Sequence, residues 1–232
     1  MRLDVQESNG ERCVQAIQLK AQDTIVFIGD SITDAEHHRQ AYAPLGFGYV
    51  HFAGNLLRAQ RPELNLHLIN TGVSGDTIID LERRWERDCI AHRPNVVSVL
   101  VGINDVWQLT MESDLAVTAA DPSRYEVTYD QLLSRARDRC NCRLVLMEPF
   151  MFCRGRHNPV FSALMPYIEI VRKLAARYDA VLVPLQREID RKIADIPPEA
   201  WSDDGVHPHV WAHAWIALQW LQATALWSNG TM

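Results

Sequence analysis

Short apolar runs rich in Val, Ile and Leu alternate along this chain with longer stretches of helical period. The runs are Thr24–Ile28, Leu66–Asn70, Val96–Val101, Leu144–Glu148 and Val181–Val183. Their near-continuous apolarity is what a strand covered on both faces requires. Between them, Ile78, Leu81, Trp85 and Cys89 share one helical face that Asp76 or Thr77 can cap and Pro94 stops. Tyr125, Tyr129, Leu132, Ala136 and Cys140 mark a second stripe, and Leu164, Ile168, Val171 and Ala175 a third. Val210, Ala214, Ala217, Leu221 and Ala225 mark the last. Strands alternating with helices imply crossover connections, so the expected fold is a three-layer α/β/α sandwich on a mostly parallel sheet. The stretch between Asn104 and Tyr125 is long for a strand-to-helix connection and is expected to be a loop, either a lid or binding wall or a surface insertion.

At 232 residues, with no repeat, low-complexity tract or Gly/Ser linker, a single domain spanning residues 1–232 is expected. An apolar share of 47% and a charged share of 22% suit a soluble globular enzyme. The net charge of −6, from 23 basic and 29 acidic side chains with no basic run, argues against a nucleic-acid partner. The first residues, MRLDVQESNGERCVQ, lack the apolar core of a secretory signal, and no stretch approaches the ~18 apolar residues of a membrane span. Cys13, Cys89, Cys140, Cys142 and Cys153 make an odd number without a dense framework, which reads as reduced thiols in the cytoplasm. Cys140 and Cys142 are too close for an easy disulfide, and no second pair completes a zinc site.

Candidate chemistry falls at four turns. Phe27-Ile28-Gly29-Asp30-Ser31-Ile32-Thr33-Asp34 follows the first run, where ligands bind in open α/β sheets. Gly29 permits a tight turn exposing the Ser31 hydroxyl and N–H, although a Ser after Gly-Asp also serves as a plain helix cap. Asn70-Thr71-Gly72-Val73-Ser74-Gly75-Asp76-Thr77 follows the second run, and its glycines let backbone approach a ligand closely. The Gly75 N–H, near the positive end of the next helix, suits a developing oxyanion; the alternative is a glycine needed only for the turn. Val101-Gly102-Ile103-Asn104-Asp105 follows the third run, and the Asn104 amide is either a further oxyanion donor or a local turn former. Asp203-Asp204-Gly205-Val206-His207-Pro208 lies late in the chain. A base three residues after a carboxylate, across a Gly-containing turn, can fold back so that the carboxylate accepts from Nδ1–H and Nε2 is free for a serine proton. His207, His209 and His213 also invite a metal reading, but no Glu completes a metalloprotease helix; His209 and His213 read instead as a surface-exposed cluster, and neither metal nor organic cofactor is expected.

With Gly29-Asp30-Ser31, Gly75, Asn104 and the Asp204/His207 pair in this order, the sequence resembles the SGNH (GDSL) hydrolase family from about Thr24 to His207. The resemblance implies a flavodoxin-like five-stranded parallel sheet. It also implies Ser31 as nucleophile, His207 as base, Asp204 as its orienting carboxylate, and Ser31, Gly75 and Asn104 as the oxyanion hole. Phe27–Asp34, Gly46-Phe47-Gly48-Tyr49-Val50, Ser74–Trp85 and Gly102–Trp107 look like the intracellular acetylxylan esterases of that family, which act on acetylated xylo-oligosaccharides. Asp203 stands where those enzymes would carry an aromatic wall, and Trp201 is two residues away.

The expected activity is therefore removal of short acyl groups from acetylated xylo-oligosaccharides or related sugars, with Asp30, Trp107 and Trp201 as candidate substrate-binding residues. Trp107 could stack on a sugar ring, close a small acyl pocket or pack in the core. A general short-chain esterase, lysophospholipase or thioesterase on the same triad is the alternative enzyme. A noncatalytic carbohydrate- or phosphate-binding module would not need Ser31, Asn104 and His207 together. Trp211, Trp215 and Trp220 near the C-terminus leave a homo-oligomer open.

Overall fold

Strands β1 (Thr24–Gly29), β2 (His67–Asn70), β3 (Val96–Leu100), β4 (Arg143–Met147) and β5 (Val181–Val183) form one sheet of five parallel strands in the order β2-β1-β3-β4-β5. The computed structural model describes residues 16–37, 42–110, 119–155 and 157–227. The central strands β1 and β3 are buried nearly throughout, as continuous apolar runs demand, and pair in register from Ile25 with Val96 to Gly29 with Leu100. Each strand begins or ends within one or two residues of its expected position.

Helices cover both faces. Among them, α1 (Ser31–Asp34) and α2 (Tyr49–Gln60) precede β2, and α3 (Ile78–Asp88) precedes β3. Next come α4 (Ile103–Thr110) and α5 (Pro122–Cys140) before β4, and α6 (Pro159–Arg177) before β5. The chain closes with α7 (Leu185–Ile193), α8 (Pro198–Trp201) and α9 (Val210–Ala223). Helix α2 packs on α9, while α5 packs between α3 and α6. The stripes expected for α3, α5 and α6 face one contiguous apolar core, with Trp85, Tyr125, Tyr129, Leu164 and Ile168 fully buried.

Two expectations need correction. The stripe expected for α9 holds in part: Ala217 and Leu221 are buried, but Val210 is 68% exposed and Ala225 lies past the helix end, and Ala212, Ile216 and Trp220 complete the inward face. This helix carries no charged side chain, so its apolar positions alone could not define one face. The long connection after Asn104 begins as the eight-residue helix α4, on which Ile103 and Val106 are buried. Its remaining part is residues 111–118, which lie outside the described residues, and α5 then starts with Asp121 capping Arg124.

The strand order reverses between β1 and β3. Loops leaving the carboxyl ends of such neighbours diverge to opposite faces and leave a crevice, the usual ligand position in an open α/β sheet. Ser31 leaves β1 and Asn104 leaves β3 at that point.

Candidate active site

Ser31 is the first residue of α1, held there by Asp30, whose Oδ1 accepts the Ile32 N–H at 3.0 Å and caps the short helix. Gly29 must be glycine, because a Cβ there would run into the Leu100 carbonyl of β3. The turn is therefore set tight against the neighbouring strand. Asp30 itself is 1% exposed; burial pushes its carboxyl up to about 7, against the Ile32 N–H and the attraction of His207. Its side chain supports the turn from beneath and presents no surface to a substrate, which corrects its expected substrate-binding role.

His207 arrives from the other end of the chain. Its Nε2 lies 3.0 Å from Ser31 Oγ, and its Nδ1 lies 2.6 Å from Asp204 Oδ2. A carboxylate only accepts, so Nδ1 carries the proton and the Nε2 lone pair faces the serine hydroxyl, which donates to it. Asp204 Oδ1 accepts from Ser202 Oγ at 2.9 Å and from the backbone N–H groups of Val206 and His207 at 2.8 Å each. Burial works to raise the Asp204 carboxyl, but the His207 side chain and these donors outweigh it and hold it well below the usual carboxylate range. Gly205, at φ +80°, closes the turn that brings these groups together. The arrangement can deprotonate an attacking hydroxyl and stabilise the imidazolium that results.

The second and third turns meet beside it. Gly75 is exposed at φ +86°, in the left-handed region that favours glycine. Asn104 Nδ2 donates to the Asp76 carbonyl at 3.0 Å, which ties the two turns together and leaves the amide a second hydrogen. Ser74 donates to Asp34 Oδ2 through its N–H at 3.1 Å and its hydroxyl at 2.8 Å, which joins the Gly75 turn to α1. Asp105, fully buried, accepts from Ile78 N at 3.1 Å and Ala120 N at 3.1 Å and so fixes the start of α4 against the start of α3. Burial pushes its carboxyl up to about 8, against those two N–H donors.

The aromatic expectations divide. Trp107 is 38% exposed on α4, one helical turn past Asn104. Trp201 is fully buried; it stacks on Phe152 with centroids 5.4 Å apart and an interplanar angle of 21°, and meets Trp211 and Trp215 at 4.4 and 5.1 Å. It is a core residue, so its expected place against a substrate does not hold. Asp203 leaves its side chain in solvent, 3.2 Å from His209 Nε2. The surface cluster expected of His209 and His213 does not form: His209 Nδ1 meets the Ala200 carbonyl, while His213 is buried and accepts the Tyr49 N–H. Sequence reasoning missed Arg84, Asp105 and Ser202. The signal for Arg84 was its place on the stripe Thr77, Leu81, Arg84, Asp88, where a cation has to be buried.

The sequence pattern of the GDSL-like lipase/acylhydrolase family matches residues 27–215. The chain belongs to this family. The acetylxylan esterase of Geobacillus stearothermophilus is 32% identical over 204 residues, covering 86% of this chain and 93% of that protein. The thioesterase 1/protease 1/lysophospholipase L1 of Escherichia coli strain K12 is 28% identical over 200 residues, covering 85% and 81%. Among solved structures, the Geobacillus enzyme superposes with a TM-score of 0.83 at 32% identity, over 90% of this chain and 96% of its own. An alpha/beta hydrolase enzyme from the metagenome of Lake Arreo gives 0.84 at 32%, over 89% and 97%. This GDSL-family chain is thus a carboxylic ester hydrolase with the family's five-stranded parallel α/β fold. No helix among its described residues is long and apolar enough to cross a membrane.

Proposed function

We propose that the chain removes acetyl and similarly short acyl groups from acetylated xylo-oligosaccharides or related sugars through a Ser31–His207–Asp204 acyl-enzyme mechanism. The observation that carries the mechanism is the unbroken line of hydrogen bonds from Ser31 Oγ through His207 to Asp204, at 3.0 and 2.6 Å. Ser31 Oγ attacks the ester carbonyl as its proton passes to His207 Nε2. Nδ1–H stays on Asp204, which holds the ring and balances its new charge. The tetrahedral oxyanion is met by the N–H groups of Ser31 and Gly75 and by the Asn104 amide. His207 then returns the proton to the leaving alcohol, and a water activated by the same Nε2 releases the acid. The mechanism needs no metal and no organic cofactor.

The sugar substrate is supported by the 32% likeness to an acetylxylan esterase and by the exposed indole of Trp107 near Asn104. The likeness to the Escherichia coli thioesterase and lysophospholipase supports a second reading, longer acyl chains on the same triad. Rates of wild type and Ser31→Ala on acetylated xylo-oligosaccharide, p-nitrophenyl acetate and p-nitrophenyl octanoate separate the two. Ser31-dependent release from the sugar and acetate, but not octanoate, fits the proposal. Preference for octanoate with untouched sugar moves the substrate to lipids or thioesters, and a fully active Ser31→Ala removes the triad. The free thiols of Cys89, Cys140, Cys142 and Cys153 fit a reducing, cytoplasmic setting.

A further inference from the structure

One guanidinium joins the turn before Ser31 to the residue after Gly75. Arg84, on α3, is 8% exposed. Its Nη2 donates to the Gly29 carbonyl at 3.0 Å, two residues before Ser31. Its Nη1 donates to the Thr71 carbonyl at the end of β2 and to Asp88 Oδ2 at 3.2 Å. Its Nε lies 2.6 Å from Asp76 Oδ2, and the carbonyl of that same Asp76 receives the Asn104 amide. The contacts therefore run from the Ser31 turn through Arg84 to the residue after Gly75, and from there to Asn104.

We propose that Arg84 is a positioning residue that sets the spacing of the three oxyanion donors, a reading that rests on the triad and oxyanion roles proposed above. A buried ion pair is a poor source of net stability, because desolvation offsets much of its Coulomb gain. What the guanidinium supplies is geometry. It is planar, rigid and forked, and three separate nitrogens reach four acceptors on β1, β2, the Gly75 turn and α3. An ammonium carries its donors on one atom and cannot span them. Asp88 is also held by Arg87, at 2.8 Å to each oxygen, so the α3 end of the clamp is anchored independently. Loosening Arg84 therefore shifts the Gly29 and Asp76 ends relative to each other. Transition-state donors lose effect at displacements that ground-state binding tolerates.

The test is Arg84→Lys, assayed on p-nitrophenyl acetate beside its melting curve. The expected result is a folded protein whose kcat falls about 10- to 100-fold while KM stays within about twofold. In an Asn104→Ala background the same substitution costs less than in wild type, because part of what Arg84 positions is already gone. A folded Arg84→Lys with wild-type kcat, a loss confined to KM, or full additivity with Asn104→Ala overturns the proposal. If Arg84→Lys does not fold, Asp76→Ala takes its place. It removes the carboxylate that Arg84 grips but keeps the carbonyl that Asn104 holds, and the same kcat loss and non-additivity are expected. A fluorophosphonate probe separates the two levels. Wild type that resists the probe refutes the triad itself, whereas labelled wild type with an unharmed clamp variant refutes only the clamp.

Discussion

Asp204→Asn exchanges one oxygen for an NH2 group beside His207. Asp204 Oδ1 receives three donors, Ser202 Oγ and the N–H groups of Val206 and His207, at 2.8–2.9 Å. In the variant these donors keep the amide oxygen on their side, because turning the amide over would set its NH2 group against two N–H groups. The NH2 is then left facing His207 Nδ1, where Asp204 Oδ2 now sits at 2.6 Å. An NH2 donates, so Nδ1 must accept and the ring proton moves to Nε2, the nitrogen that should take the serine proton. Forcing this wrong tautomer in a buried triad costs about 10⁴ in kcat. Here the His207 and Asp204 side chains are 59% and 52% exposed, so water competes for both bonds. A smaller loss of about 10²- to 10³-fold is expected, which is roughly 2.7–4.1 kcal/mol. Initial rates of p-nitrophenyl acetate hydrolysis, with circular dichroism to verify the fold, measure it. A folded variant retaining more than about one fifth of wild-type kcat/KM refutes the assignment of Asp204 as the orienting carboxylate.

Further outcomes follow from the same geometry. Asn104→Ala should lower kcat about 10²- to 10³-fold with little change in KM, read from saturation kinetics, if the amide acts on the oxyanion as proposed rather than on the bound ester. Trp201→Ala should cost about 3–5 kcal/mol in urea unfolding; a stable variant with only a raised KM for the sugar would return Trp201 to the substrate. Asp30 has a folded-state value of about 7 against an unfolded value of about 3.9, so the folded chain keeps a proton that the unfolded chain has released. Stability therefore declines as pH rises from about 4 to about 7, and Asp30→Asn should raise the melting temperature by about 2 °C or more at pH 8 but not at pH 4. Parallel melting curves for the two proteins would expose an Asp30 that ionises normally.

The strands were legible because burial on both faces writes itself as uninterrupted Val, Ile and Leu, as in Val96–Leu100. Helix α7 was not: Leu185, Ile189 and Ile193 face inward from an otherwise polar nine-residue segment that follows β5 closely. Ser31 and the Asp204/His207 pair stand out in the sequence because each of their two turns carries a glycine, Gly29 and Gly205. Asp30 and Trp201 were misread because sequence shows a side chain's chemistry but not which way it points. Asp30 turns inward to cap α1, and Trp201 is drawn into the aromatic cluster with Phe152. Arg84 sits on a buried stripe of α3, but a cation on an amphipathic helix is ordinarily solvated; the Gly29 and Thr71 carbonyls, distant in sequence, are what hold this one inside.

His207 and Asp204 are three residues apart and bound mainly to their own turn, so this half of the site assembles locally. It meets Ser31 through a single side-chain bond spanning 176 positions of the chain. Local turns close quickly, whereas contacts of such sequence separation wait for the rest of the sheet to order. If the proposed triad holds, serine reactivity serves as a clock. Covalent capture of Ser31 during refolding reports the moment at which the two ends of the polypeptide come into register, and a chain that has regained its helices without that capture has not finished folding.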